Sequence, residues 1–330
     1  METRGIIRNW TLFGAFAVLG FFGIGPGQPA TLLAQTPAHG STSPQPSAEQ
    51  QDSAPKEQVP AEHYDPDDTK TYQDVITEDR QVTVRGRQFT IHFYRPKPVG
   101  PVVPAIYACG DGGWRGLAPR TAQQLAHSGF AVAGIDSKVY LRELSSTKNP
   151  LTIKTLASDY AEIGGPLREY ASVDSTTPVY VYGWSLGAGF AIAVGSDPGT
   201  RPNWAGVVAI GLPAQNQLVS GLGANHADLH DPGNSRYGFR ASDVLPDLAP
   251  VPLVLIESTS DTASPQRVGK ALFAAARGPK QYVLIKAENH RFSGARSEFY
   301  SALAAAVTWI RQARESNAAQ MSNAKNGGHR

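Results

Sequence analysis

The chain has 330 residues, 30 Lys and Arg against 28 Asp and Glu, a net charge of +2, and a single cysteine. Its basic residues are spread along the chain, and the basic stripe that nucleic-acid binding calls for is absent. A lone Cys109 excludes an internal disulfide framework, and its position at a strand end suggests a small buried hydrophobe rather than a reactive thiol.

Arg4 and Arg8 precede an apolar stretch from Trp10 to Ile24, then Pro26 and a patch ending Leu32-Leu33-Ala34. This is the layout of a secretory signal peptide over residues 1–34, with cleavage near Ala34 and a periplasmic or secreted destination. The alternative is an uncleaved N-terminal anchor in the inner membrane, although the stretch is short for a helix that needs about 20 apolar residues to span. Residues 35–70 are Pro, Ser, Gln, Ala and Glu with few large apolar side chains, which predicts a disordered tether. The tail over 316–330 reads the same way, leaving residues 71–315 as one folded domain.

Within that domain Gln81 to Tyr94 alternates around Arg85-Gly86-Arg87 and predicts a β-hairpin. Val102 to Ala108 is a strand that runs into the glycine-rich loop Cys109 to Trp114. Leu117 to His127 is helical, Ala131 to Asp136 extended, and Ile153 to Tyr170 helical with Leu156, Tyr160, Ile163 and Leu167 on one buried face. Strands at Val179–Tyr182, Ala205–Ile210, Pro252–Ile256 and Gln281–Ile285 follow, and Phe299, Leu303, Val307 and Ile310 mark a closing amphipathic helix. Strand-helix alternation of this kind predicts an α/β fold with a mainly parallel sheet and helices on both faces.

Gly183-Trp184-Ser185-Leu186-Gly187 joins an apolar strand to the small-residue helix Ala188–Val194, the setting of a nucleophile elbow. Such a pentapeptide is weak evidence alone in a chain with 33 glycines. Two later positions strengthen it: Asp261 follows the strand at Pro252–Ile256, and His290 follows the strand at Gln281–Ile285. Serine, acid and histidine in that order, each past a strand, is the arrangement of an α/β-hydrolase triad. His290 would serve as general base to Ser185, with Asp261 fixing the imidazole tautomer. Leu186 N–H and a second N–H from Asp111 or Gly112 would form the oxyanion hole.

The block Gly110-Asp111-Gly112-Gly113-Trp114-Arg115, together with Gly-Trp-Ser-Leu-Gly, Ile135-Asp136-Ser137 and Asp243-Val244-Leu245-Pro246, resembles the bacterial virulence-protein family VirJ/AcvB over roughly residues 80–315. The resemblance implies an α/β-hydrolase fold, a periplasmic setting, hydrolysis of an aminoacyl-phosphatidylglycerol such as the lysyl lipid, and a link to envelope or secretion partners. The chain departs from the family pattern at Lys138-Val139-Tyr140-Leu141-Arg142-Glu143, where the family carries an aromatic stretch.

Trp114, Trp184, Tyr140, Tyr237 and Phe239 are the expected substrate contacts. Leu218, Leu222, Tyr237 and Phe239 lie in a long segment from about Pro213 to Leu248, read as a lid before the acid strand or as a surface Ω-loop. Asp111 and Asp136 are candidate partners for a substrate ammonium, or caps. His226 and His230 have metal-ligand spacing but lie among glycines and prolines, so a polar loop is the expectation; neither a metal nor a cofactor is expected. The substrate is expected to be a small-molecule or lipid ester met at a membrane surface. The other readings open at this point are a generic carboxylesterase or lipase and a non-catalytic envelope binding protein with the same fold.

Overall fold

The computed structural model describes residues 72–97, 100–220 and 237–327, with side chains described through residue 320. The signal and tether readings for 1–70, and those for Leu222, His226 and His230, lie outside the described residues. Among the described residues no helix is long and apolar enough to cross a membrane.

The chain opens with a hairpin longer than the sequence pattern marked, β1 (Val75–Val84) and β2 (Arg87–Pro96), closed by Arg85 and Gly86, both at positive φ. Then come β3 (Val103–Ala108), α1 (Leu117–His127), β4 (Phe130–Ile135), α2 (Ser137–Leu144), α3 (Ile153–Tyr170), β5 (Val179–Trp184), α4 (Leu186–Ser196) and β6 (Trp204–Ile210). A short β7 (Gln215–Gln217) pairs antiparallel with β8 (Gly238–Arg240), and α5 (Ala241–Val244), β9 (Leu253–Ser258), α6 (Gln266–Ala275), β10 (Lys280–Ile285) and α7 (Arg296–Gly327) complete the order.

Eight strands form one sheet in the order β1-β2-β4-β3-β5-β6-β9-β10. β1, β2 and β4 pair antiparallel, and every pairing from β4 to β10 is parallel. The central parallel strands β3 to β6 carry no charged residue and are almost wholly buried, as expected where helices cover both sheet faces. Ala105 and Tyr107 of β3 pack in one cluster with α1 and α7, whereas Ile106 and Ala108 pack in the other with α2 to α6. α3 begins where a capping box forms, Thr152 and Thr155 each satisfying the other's backbone N–H, and its Leu156, Tyr160, Ile163 and Leu167 are all fully buried.

The C-terminal tail departs from the sequence reading. α7 continues through residues 316–327 instead of ending near Arg314. Residues 311–320 are largely exposed, yet Glu315, Ala318, Ala319 and Gln320 are good helix formers, and no glycine or proline follows them in the sequence before Gly327.

Candidate active site

Ser185 stands at the end of β5, immediately before α4, with φ 54° and ψ −117°. A non-glycine residue at positive φ costs about 1–3 kcal/mol and persists where the surroundings impose it. Here they do. Ser185 N–H donates to the Ile210 carbonyl at 2.8 Å, and Gly187 N–H to the Cys109 carbonyl at 3.1 Å, so the turn is bonded to strands on both sides. α4 is buried along its whole length, which its small residues permit. A methyl group on Gly187 would lie 2.1 Å from the Ala108 carbonyl oxygen, and one on Gly183 would lie 1.9 Å from Gly187 O. The flanking glycines are therefore steric requirements of a tight strand-to-helix turn.

Asp261 lies three residues past the end of β9, and His290 lies in the loop after β10. Their side chains meet, His290 Nδ1 and Asp261 Oδ2 standing 2.6 Å apart. The carboxylate is fully buried and the imidazole 19% exposed. A carboxylate opposite Nδ1 places the ring proton on that nitrogen and leaves Nε2 with its lone pair. Nε2 is buried and has no hydrogen-bond partner. The second Asp261 oxygen accepts from Ser264 N–H at 2.7 Å, and Ser264 Oγ donates to Gly211 O at 3.1 Å.

The backbone of Ile210 and Gly211 links these residues to Ser185. Ile210 O holds Ser185 N–H, and a methyl on Gly211 would sit 2.7 Å from His290 Cε1 and 3.5 Å from Asp261 Oδ2. Trp184, next to Ser185, donates from Nε1 to the His290 carbonyl at 3.2 Å with the two rings 5.4 Å apart. Residues read from three separate segments are thus assembled at one end of the sheet.

The loop after β3 folds back through Gly113 N–H to Gly110 O at 3.2 Å. A methyl on Gly110 would lie 3.3 Å from Ser185 Cβ, so the loop that carries the Asp111 and Gly112 N–H groups passes beside the serine. Leu186 is the first residue of α4, and its N–H has no carbonyl a turn earlier to serve. Cys109 is fully buried. Burial pushes its thiol up to about 12, and Ser137 N–H approaches Sγ at 3.4 Å, as befits a packing residue.

The expected substrate contacts have the following surroundings. Tyr140 is fully buried, its hydroxyl donating to Asp159 Oδ2 at 2.5 Å, and Asp159 also meets Arg85 Nε at 3.0 Å. Its charged neighbours Lys138, Arg142 and Glu143 occupy the outer face of α2 and Tyr140 the inner one, which turns it away from a substrate. Trp184 is buried as a buttress of the His290 loop. Trp114 is half-buried, stacked on His92 at 4.8 Å and bonded from Nε1 to Tyr94 Oη, which pins the glycine loop to β2. Asp136 caps α2 through Lys138 and Val139 N–H and also accepts from Trp114 N–H at 3.0 Å, so its carboxylate is committed to backbone donors. Leu218 joins the main core, Phe239 packs against it, and Tyr237 is buried beside Val219. Asp111 is exposed.

One residue escaped the sequence reading. Glu257, on β9, is fully buried, and burial followed by the charge of Asp261 pushes its carboxyl up to about 8. Its sequence signal was the single acid at the end of an apolar run. Among the described residues no group of three or more His, Cys, Asp or Glu side chains is disposed to hold a metal. An open cavity of about 670 Å³, lined by Val103, Pro104, Tyr180 and Arg314 among others, lies at the strand beginnings, the opposite end from Ser185.

Comparison with solved structures places this architecture among α/β hydrolases. A mutant of the esterase Est22 aligns with TM-score 0.55 and 14% identity over 72% of this chain and 81% of its own. The α/β hydrolase GrgF from Penicillium sp. sh18 aligns with TM-score 0.52 and 13% identity over 72% and 98%. A dienelactone hydrolase from Anabaena variabilis ATCC 29413 aligns with TM-score 0.50 and 19% identity over 72% and 98%. No curated protein matches the sequence. The family described as bacterial virulence protein (VirJ) matches residues 103–199, from β3 and its glycine loop through the elbow and α4. The chain thus has the α/β-hydrolase fold, and its segment 103–199 matches the VirJ family description.

Proposed function

We propose that the protein is a serine hydrolase that cleaves carboxylic esters through an acyl-enzyme, with Ser185 as nucleophile, His290 as general base and acid, and Asp261 as the orienting carboxylate. The observation that carries this reading is the 2.6 Å contact between Asp261 and His290 Nδ1, which leaves a buried, unpartnered Nε2 beside the backbone that holds Ser185. His290 Nε2 takes the Ser185 hydroxyl proton as Oγ attacks the ester carbonyl. Asp261 stabilises the imidazolium, and the N–H groups of Leu186 and of Asp111 or Gly112 receive the developing oxyanion. Collapse of the tetrahedral intermediate passes the proton to the leaving alkoxide. Water, deprotonated by His290, then releases the acid and restores Ser185.

For the substrate we propose an aminoacyl-phosphatidylglycerol of the lysyl type, met at a membrane surface in the periplasm. Its support is the resemblance of the Gly-Asp-Gly-Gly-Trp-Arg block and the elbow to the VirJ/AcvB proteins, together with the signal-like layout of residues 1–34. The test incubates the full chain and Ser185→Ala with mixed bacterial phospholipids containing lysyl-phosphatidylglycerol, scoring lipid loss and free lysine. Serine-dependent loss supports both statements. Survival of the lipid with fluorophosphonate labelling of Ser185 keeps the hydrolase and moves the substrate to another ester, and absence of labelling as well overturns both.

A further inference from the structure

Glu257 takes no part in the steps above, yet it lies behind them. Along β9 the residues alternate between faces, and Leu253, Leu255 and Glu257 fall on the face covered by α4 to α6, where an apolar side chain is the rule. Neither carboxyl oxygen has a hydrogen-bond partner, and no described Lys, Arg or His forms an ion pair with it. α6 faces it with Gly269, where a methyl would come within 3.0 Å of Glu257 Cγ and 3.2 Å of Oε1. β10 contributes Tyr282, whose hydroxyl is also buried without a partner and whose ionisation the Glu257 charge opposes. From the turn after β6, the Leu212 N–H lies beside the carboxyl, outside hydrogen-bond geometry. The preceding residue of that turn, Gly211, is the one packed on the His290 ring and Asp261. The titratable groups facing Glu257 are therefore Asp261 and Tyr282.

Two carboxyls sharing an unsolvated region without a cation cannot both be charged at low cost, and the one lacking donors keeps its proton. Asp261 has Ser264 N–H and the imidazole; Glu257 has neither.

We propose that Glu257 is a positioning residue that stays protonated at neutral pH, so that Asp261 alone presents negative charge to His290, and that its ionisation retunes the Asp261–His290 pair. This rests on the hydrolase reading of that pair. A second anion behind Asp261 raises the proton affinity of the imidazole. The pH profile of the reaction then carries a second inflection where Glu257 loses its proton.

The experiment compares the full chain with Glu257→Gln, which keeps size and neutrality. On p-nitrophenyl acetate, the wild-type pH profile of kcat/KM should carry a second inflection at the Glu257 titration, which Glu257→Gln lacks. In parallel, the NMR resonance of the His290 Nδ1 proton, followed with pH, should move in two steps in the wild type and in one in the variant. A wild-type resonance with a single step, or a second step that survives in Glu257→Gln, overturns the proposal. The resonance needs no turnover, so two wild-type steps in a chain inactive on esters would support the role of Glu257 while overturning the hydrolase reading.

Discussion

Gly187 and Ala108 are in such close contact that a single methyl group on the glycine would stand 2.1 Å from the alanine carbonyl oxygen. Backbone cannot yield as a flexible side chain would, so Gly187→Ala must push α4 away from β3 and distort the turn at Ser185. Overpacking of this kind costs roughly 1–3 kcal/mol or more. Chemical denaturation should report at least that loss, with fluorophosphonate labelling of Ser185 reduced in the fraction that still folds.

Ser185 holds a positive φ that glycine adopts without strain. Ser185→Gly should therefore gain stability, by about 1 kcal/mol, while abolishing covalent labelling. Thermal unfolding of wild type, Ser185→Gly and Ser185→Ala side by side checks this. The alanine variant, which removes the hydroxyl but keeps the strain, should show a smaller gain than the glycine variant.

Tyr140 touches the buried carboxyl of Asp159 rather than the site around Ser185. Removing its hydroxyl with Tyr140→Phe takes a donor from a buried acid, at a cost of about 1–3 kcal/mol. The change should appear in the denaturation midpoint and leave KM for a soluble ester as it was.

Glu257 also makes stability depend on pH. Its folded carboxyl, raised to about 8, lies above the ordinary value of 4.5, so the contribution is fully present below about 4.5 and is lost as pH rises toward 8. Across that window the loss is on the order of 5 kcal/mol, since each unit is about 1.4 kcal/mol. Wild-type Tm should decline from pH 5 to 8 relative to Glu257→Gln, the two curves converging at the acid end. Parallel curves would show that the carboxyl is already ionised in the folded chain.

Much of this architecture could be read from the residues because local signals agreed with one another. α3 has the bounds its periodicity marked, since Thr152 caps a run whose apolar side chains share one face. Ser185, Asp261 and His290 could be picked out because each follows a strand whose apolar run is unmistakable. What stayed hidden depended on partners distant in sequence. Asp136 reads as an ammonium partner or a cap, and it caps α2 through Lys138 and Val139 N–H, but its third partner, Trp114 N–H, reaches it only once the glycine loop folds over it. Tyr140 reads as a substrate contact until Asp159, on another helix, supplies an acceptor. Glu257 reads as the first loop residue after an apolar run, whereas β9 extends through it to Ser258 because β10 pairs with that whole length. α7 runs past its apolar stripe on helix propensity alone, which a composition-based reading assigns to a polar tail.

The burial of Cys109 has a practical side. It is the sole thiol in the chain and is closed to solvent in the folded protein, so maleimide reagents should leave the native molecule unmodified. A cysteine introduced at an exposed site such as Glu315 would then be the one position such a reagent reaches. Fluorophores or spin labels could be installed there without first mutating the native cysteine, and native Cys109 would react only on unfolding, reporting when the core beneath Ser185 opens.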